Sequence, residues 1–144
     1  MTPPKMPPNV LPYGANVTLD EAKRIMAAAE KEAAAQGWPM VISICDTAGQ
    51  LVMLTRHDQA QKGSVAVAQG KAETAALFRR PTKGFQDAIE KGGAQLRILA
   101  MPGVTPLEGG LPILKDGYVI GGIGVSGMQS DQDAVVAQAG LKAL

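Results

Sequence analysis

The sequence predicts an α/β (α+β) domain in which a single antiparallel sheet of about five strands is flanked by helices. Short apolar runs come in pairs joined by tight turns at Asp46–Gly49 and Asp116–Gly117, which is typical of antiparallel hairpins. Longer segments with apolar residues at helical spacing lie before, between and after the two hairpins. Strands that arrive in hairpins, rather than singly between helices, favour an antiparallel sheet.

The first helix is expected to begin after Thr18. Thr18 and Glu21 have the T-x-x-E spacing of a capping box, in which each side chain bonds a backbone N–H of the first turn. Apolar residues then recur at helical spacing and form one face: Leu19, Ala22, Ile25, Met26, Ala29 and Ala33. Gly37 is expected to end the helix because glycine readily adopts the left-handed conformation that follows a helix.

Four strands are predicted in the two hairpins. Residues 40–45 and 50–55 flank the first turn, and residues 111–114 and 118–125 flank the second. The segment 94–101 is ambiguous between a strand and a helix, so the strand count is about five.

Three more helices are predicted. The second extends from near residue 64 to about residue 78, and its small inner-face residues are suited to lying flat on a sheet: Val65, Ala68, Ala72, Ala75 and Ala76. Thr82 is expected to cap a short third helix over residues 82–91. Ser130 and Asp133 are expected to cap a last helix near the end of the chain.

Length and proline distribution predict a single domain over residues 17–144 of this 144-residue chain. Five of the ten prolines lie within the first twelve residues, so residues 1–16 should form an extended arm. This arm is either a loose terminus or a segment laid across a neighbouring subunit. The first residues lack the apolar region of a signal peptide, and no apolar run reaches the length of a membrane span. We therefore expect a cytoplasmic protein with no membrane partner.

Composition argues against several function classes. The formal net charge is +1 and aromatic residues make up 3% of the chain, so the sequence lacks the basic face and stacking platforms of a nucleic-acid-binding protein. Cys45 is the only cysteine and His57 the only histidine, which argues against a zinc site built on thiolates or several histidines. Cys45 lies in an apolar run and is expected to be buried and inert.

Residues 122–127 match G-x-G-x-x-G, the pattern of a dinucleotide-binding turn. Only seventeen residues follow Gly127, which leaves no room for the next strand and acidic residue that NAD binding requires. We therefore expect no NAD, and interpret the glycines as allowing close strand packing and a turn into the last helix. A narrower alternative is that Ser126 and Gly127, at a helix N-terminus, hold a carboxylate.

Three segments in this order resemble the GlcG/HbpS-like family, which includes the C-terminal domain of PduO-type proteins. They are Asp46–Leu51 leading to Arg56–Asp58; Gly70–Ala75 continuing through Phe78 to Pro81–Thr82; and Gly109–Ile113, Asp116–Gly117 and Gly121–Gly127 followed by Asp131. The resemblance covers about residues 17–142. It implies a somewhat profilin-like fold, homo-oligomers from dimers upward, and the haem binding found in several members.

The polar loop at His57 departs from this family, which usually has Met after the arginine and small residues after the aspartate. A neutral imidazole can ligate haem iron as a metal ligand, and it can also act as a general base near pH 7. Asp58 or another acceptor would orient the ring, whereas the simpler interpretation is an exposed loop histidine. Arg56 can bind a carboxylate such as a haem propionate in bidentate fashion, or it can form an ordinary surface ion pair.

Two further ionisable residues are candidates for the same site. Lys71 lies in the alanine-rich middle of the second helix, where a lysine must extend to solvent, form an ion pair or reach into a pocket. Glu108, in a proline-flanked loop, is either an acid or base of the site or a solvated loop residue.

Three functions follow as hypotheses. The first is a small-ligand-binding protein for haem or a related tetrapyrrole, with His57 or a methionine on the iron and Arg56, Lys71 or the Ser126 loop on the propionates. The second is an enzyme, such as a hydrolase or isomerase acting on a small carboxylated metabolite of glycolate or aromatic catabolism, with catalytic His57, Lys71 and Glu108. The third is an accessory structural oligomer without a ligand.

Overall fold

The computed structural model describes residue 7 and residues 10–144, and these form one sheet with helices on both faces. The helices are α1 (Leu19–Gln36), α2 (Ser64–Phe78), α3 (Lys83–Lys91) and α4 (Ser130–Leu141). The strands are β1 (Val41–Cys45), β2 (Leu51–Arg56), β3 (Gly110–Lys115) and β4 (Tyr118–Ser126). The predicted α+β class and the order of elements are confirmed.

The sheet has four strands in the order β2-β1-β4-β3, and every neighbouring pair is antiparallel. Both predicted hairpins are present. The ambiguous segment forms a 3-10 helix over Gly93–Ala100 instead of a strand, which is why the described sheet has four strands and not five.

The two faces of the sheet carry different helices because strand side chains alternate between faces. On one face, Ile42 and Ile44 of β1 join the largest apolar cluster, to which α1 contributes Ile25 and α4 contributes Val136. On the other face, two smaller clusters form, in which Val41 of β1 packs with Ala68 of α2 and Cys45 of β1 packs with Ala72 of α2. The helices α1 and α4 therefore lie on one face, and α2 lies on the opposite face.

The glycines of the G-x-G-x-x-G pattern allow α2 to lie close against β4. A Cβ at Gly122 would overlap the carbonyl oxygen of Ala72, and one at Gly124 would overlap that of Ala68. Both glycines therefore allow close packing at a strand, as predicted, but the element that packs there is the helix α2.

Helix starts follow the sequence signals in one case and depart from them in another. The capping box at the start of α1 is present: Glu21 N–H donates to Thr18 Oγ1, and Thr18 N–H donates to Glu21 Oε1. For α4 the expected cap was wrong by one residue, because Gln129 is the N-cap and forms a capping box with Gln132.

The described part of the N-terminal segment lies along the chain's own sheet. Gly14 N–H donates to the Val119 carbonyl, Val119 N–H donates to the Pro12 carbonyl, and Val17 N–H donates to the Ile120 carbonyl. These bonds occupy the part of β4 that extends beyond its pairing with β1. Residues 1–6 and 8–9 of the predicted arm lie outside the described residues. No helix within the described ranges is both long and apolar enough to cross a membrane.

Candidate functional site

A cleft of about 630 Å³ opens between the C-terminal half of α1 and the adjoining ends of β1 and β2. Its volume is within the usual range for small-molecule sites. The lining residues are Glu30, Ala33, Ala34, Gly37, Trp38, Pro39, Met40, Ile42, Thr55, Arg56, His57 and Gln59. Most of them are small or apolar, and the charged and polar side chains include both residues of the Arg56–His57 pair.

The apolar part of the cleft is built where α1 ends. Gly37 adopts a left-handed conformation with φ of 73°, and Trp38 N–H then donates to the Ala33 carbonyl at 2.9 Å. This turn places half-buried Trp38 beside the last turns of α1, and buried Met40 and Ile42 follow directly. Helix termination at a glycine thereby forms one apolar wall of the cleft.

Arg56 and His57 are exposed at the cleft, where β2 ends. His57 N–H donates to the Met40 carbonyl at 3.0 Å, which continues the pairing of β1 with β2 by one residue. The His57 ring accepts a hydrogen bond at Nδ1 from Gln59 N–H, also at 3.0 Å. In the neutral ring the proton is therefore on Nε2.

Asp58 is exposed and does not line the cleft, and the bond that orients the ring comes from the Gln59 backbone. Sequence reasoning did not single out Glu30, Trp38 or Gln59 of the lining. Trp38 is the only tryptophan and follows the Gly37 helix stop, a signal that could have indicated it. Glu30 is one of many charged residues on α1, and its sequence context does not distinguish it.

Lys71 is not at the cleft, because it forms an ion pair in the interior. Its Nζ donates to Asp133 Oδ2 and to the Val125 carbonyl, each at 2.9 Å. The Lys71 and Asp133 side chains are 2% and 3% exposed. Burial raises the pKa of the Asp133 carboxyl above its ordinary value, and the bond from Lys71 opposes that shift. Of the alternatives for Lys71, the ion pair is the one observed.

Ser126 and Gly127 are also bonded and packed internally. Ser126 Oγ donates to Ser64 Oγ at 3.0 Å, and Ser126 is 5% exposed. A Cβ at Gly127 would overlap the Pro39 carbonyl oxygen. The next backbone N–H groups are bonded too, Met128 N–H to Asp133 Oδ1 and Gln129 N–H to Gln132 Oε1. The chain's own side chains therefore already bond the Met128 and Gln129 N–H groups of this loop.

Glu108 is half-buried in the loop before β3 and does not line the cleft. Its backbone N–H donates to Gln86 Oε1 at 2.8 Å, which attaches this loop to α3. The predicted site residues thus separate in space: Arg56 and His57 line the cleft, whereas Lys71, Glu108 and Ser126 do not.

The fold and the cleft define a small single-sheet α+β domain with a mainly apolar surface site edged by charged groups. The chain belongs to the HbpS-like family, because residues 17–142 match the family described as haem degrading protein HbpS-like. The resemblance inferred from the sequence is confirmed.

Relatives of known sequence or structure agree with this assignment. The chain is 40% identical to protein GlcG of Escherichia coli K12 over 105 residues, which cover 73% of this chain and 77% of GlcG. Protein ORFY of Klebsiella pneumoniae has a similar structure, with a TM-score of 0.85 at 27% identity over 97% of each chain. A structure of a PduOC:haem complex has a TM-score of 0.82 at 29% identity, covering 90% of this chain and 96% of that one.

Proposed function

We propose that this protein binds haem or a related tetrapyrrole in the cleft between α1 and the ends of β1 and β2. The observation that carries the proposal is an apolar cleft of about 630 Å³ with Arg56 and the only histidine of the chain among its lining residues. The family description and the haem complex of the similar PduOC domain support the same ligand class.

The lining residues fit the chemistry of such a ligand. The face of a tetrapyrrole is apolar, and Trp38, Met40 and Ile42 supply apolar surface against which it would lose contact with water. The propionates are anionic, and Arg56 is an exposed guanidinium that can bind a carboxylate through two parallel hydrogen bonds. When bound, the haem would supply an iron centre that a protein side chain can ligate.

His57 is the proposed iron ligand, and it must first change its hydrogen bonding. Ligation through Nε2 requires the ring proton to move to Nδ1, which now accepts from Gln59 N–H. Losing that bond costs about 1 kcal/mol, and the exposed ring can turn without disturbing the core.

A haemin titration followed by the Soret band tests the proposal. We expect saturable binding in the wild type, an altered iron spectrum in His57→Ala, and weaker binding in Arg56→Gln. Ala34→Trp places a large side chain at an exposed position that lines the cleft, so it should block binding while the fold is kept. Arg24→Gln, which removes an exposed arginine from α1 outside the cleft, is the matched control.

No Soret change in the wild type would contradict haem binding, and full binding by Ala34→Trp would contradict this cleft as its site. An identical spectrum in His57→Ala would be consistent with haem binding in the cleft but would exclude His57 as the iron ligand.

For the enzyme hypothesis, Arg56 and His57 line the cleft, but Lys71 and Glu108 do not. Homo-oligomerisation and a cytoplasmic location stay predictions, and light scattering on the purified chain tests the first.

A further inference from the structure

A second cavity, of about 310 Å³, lies where the N-terminal segment passes the end of α2. It is lined by Val10, Leu11, Phe78, Arg79 and Arg80, and it shares no lining residue with the cleft. Two consecutive arginines and an apolar wall thus surround one cavity. Among the described residues that line this cavity, none has an acidic side chain.

Arg79 is held in place by its backbone and by two contacts. Its φ of 54° is left-handed, a conformation in which glycine is the usual residue after a helix. The guanidinium lies 5.0 Å from the centroid of the Tyr13 ring, and Nη1 donates to the Leu11 carbonyl at 3.0 Å. These contacts fix the Arg79 side chain against the N-terminal segment.

Arg80 is also held by two contacts, one with an aromatic ring and one with a backbone carbonyl. Its guanidinium lies 5.3 Å from the centroid of the Phe85 ring, and Nε donates to the Phe78 carbonyl at 3.1 Å. The Phe78 and Phe85 rings meet edge to face at 5.6 Å between centroids, so the aromatic support is itself fixed.

The cation–π contacts of the two guanidinium groups are compatible with hydrogen bonding by their remaining N–H groups. Each arginine has five N–H donors, and the bonds above use one donor in each. Neither arginine forms an ion pair within the described part of the chain. At the C-terminal end of α2, Tyr13 Oη lies 2.9 Å from the carbonyl oxygens of Ala76 and Leu77 and is their hydrogen-bond donor. The carbonyls of Ala76 and Leu77 therefore take up none of the arginine donors, whereas the Phe78 carbonyl takes one from Arg80.

We propose that this cavity binds a small organic oxyanion, a carboxylate or a phosphate monoester with an apolar group attached. The spare donors of Arg79 and Arg80 would bind the anionic oxygens, and Val10, Leu11 and Phe78 would contact the apolar part. The site is independent of the cleft proposed for the tetrapyrrole.

The test is an NMR titration of the arginine Nε–Hε signals in the full chain with phenyl phosphate, benzoate and inorganic phosphate. We expect saturable shifts at Arg79 and Arg80, with phenyl phosphate or benzoate binding more tightly than inorganic phosphate. Comparison of phenyl phosphate with benzoate identifies which oxyanion is preferred. Removing one charge-assisted contact in Arg80→Gln should weaken binding about tenfold or more.

Two further variants separate binding from folding. Arg79→Gly keeps the left-handed backbone with the residue that prefers it, so the fold should persist while the affinity falls. Arg24→Gln should bind as the wild type does, because Arg24 does not line this cavity. The proposal is overturned by the absence of saturation, by equal affinity in Arg80→Gln, or by equal shifts with sodium chloride at matched ionic strength.

Discussion

Lys71 and Asp133 form an ion pair that joins helices on opposite faces of the sheet. The distance from Lys71 Nζ to Asp133 Oδ2 is 2.9 Å, and both side chains are almost completely buried. The pair also fixes β4, because Lys71 donates to the Val125 carbonyl, and the turn before α4, because Asp133 accepts from Met128 N–H. One pair of charges therefore connects α2, β4 and α4.

Removing one partner of this pair should destabilise the fold strongly. Lys71→Met keeps the length of the side chain but leaves the Asp133 carboxylate buried without its cation. Breaking a buried pair in this way costs about 3–5 kcal/mol. Urea denaturation should show this loss, and the double variant Lys71→Met/Asp133→Leu should regain part of it. Equal stability of Lys71→Met and the wild type would show that the pair contributes nothing.

The contact of α2 with β4 predicts a marked difference between two glycine substitutions. Gly124→Ala would place a methyl group against the Ala68 carbonyl oxygen, so α2 must shift. Overpacking of this kind costs about 1–3 kcal/mol. Gly84 lies in the first turn of α3 with no atom within 4 Å of an added Cβ, so Gly84→Ala should raise stability by roughly 0.4–1 kcal/mol. Thermal unfolding of the two glycine variants checks this difference, and equal changes in their stability would contradict the packing argument.

The sequence predicted those elements whose signals are local. The capping box at Thr18 and Glu21 fixes the start of α1 within four residues. The turn at Asp116 and Gly117 has positive φ at both residues, as the aspartate–glycine pair indicated. Segment 94–101 has no such signal, and it forms a 3-10 helix in which Ile98 is the buried residue.

The candidate site was predicted only in part, for the same reason. Arg56 and His57 are consecutive and follow a strand, so their position at the end of the sheet could be inferred. The partner of Lys71 is 62 residues away, and neither the alanine-rich helix nor the residues around Asp133 indicate the pairing. The cleft itself arises from how α1 ends over the sheet, which the sequence pattern does not specify.

The lowered pKa of Glu21 predicts that the folded protein loses stability in acid. The hydrogen bond from Lys115, followed by that from the Thr18 backbone, lowers the Glu21 pKa from 4.5 to about 2. As the pH falls, the unfolded chain takes up this proton first, so the stabilisation is complete above about pH 4.5 and is lost toward pH 2. The free energy of unfolding of Glu21→Gln should therefore approach that of the wild type between these pH values. A constant difference down to pH 2 would contradict the assignment.

The contacts of Tyr13 in the N-terminal segment are expected to stabilise the C-terminal end of α2. Its hydroxyl contacts the carbonyl oxygens of Ala76 and Leu77, and its ring makes a cation–π contact with the Arg79 guanidinium. Tyr13→Phe removes the hydroxyl and keeps the ring, so it should cost about 1 kcal/mol in the free energy of unfolding. Tyr13→Ala also removes the cation–π contact and should cost more. Hydrogen exchange should accelerate at the last amides of α2 in both variants, and unchanged exchange would show that the hydroxyl does not hold this helix end.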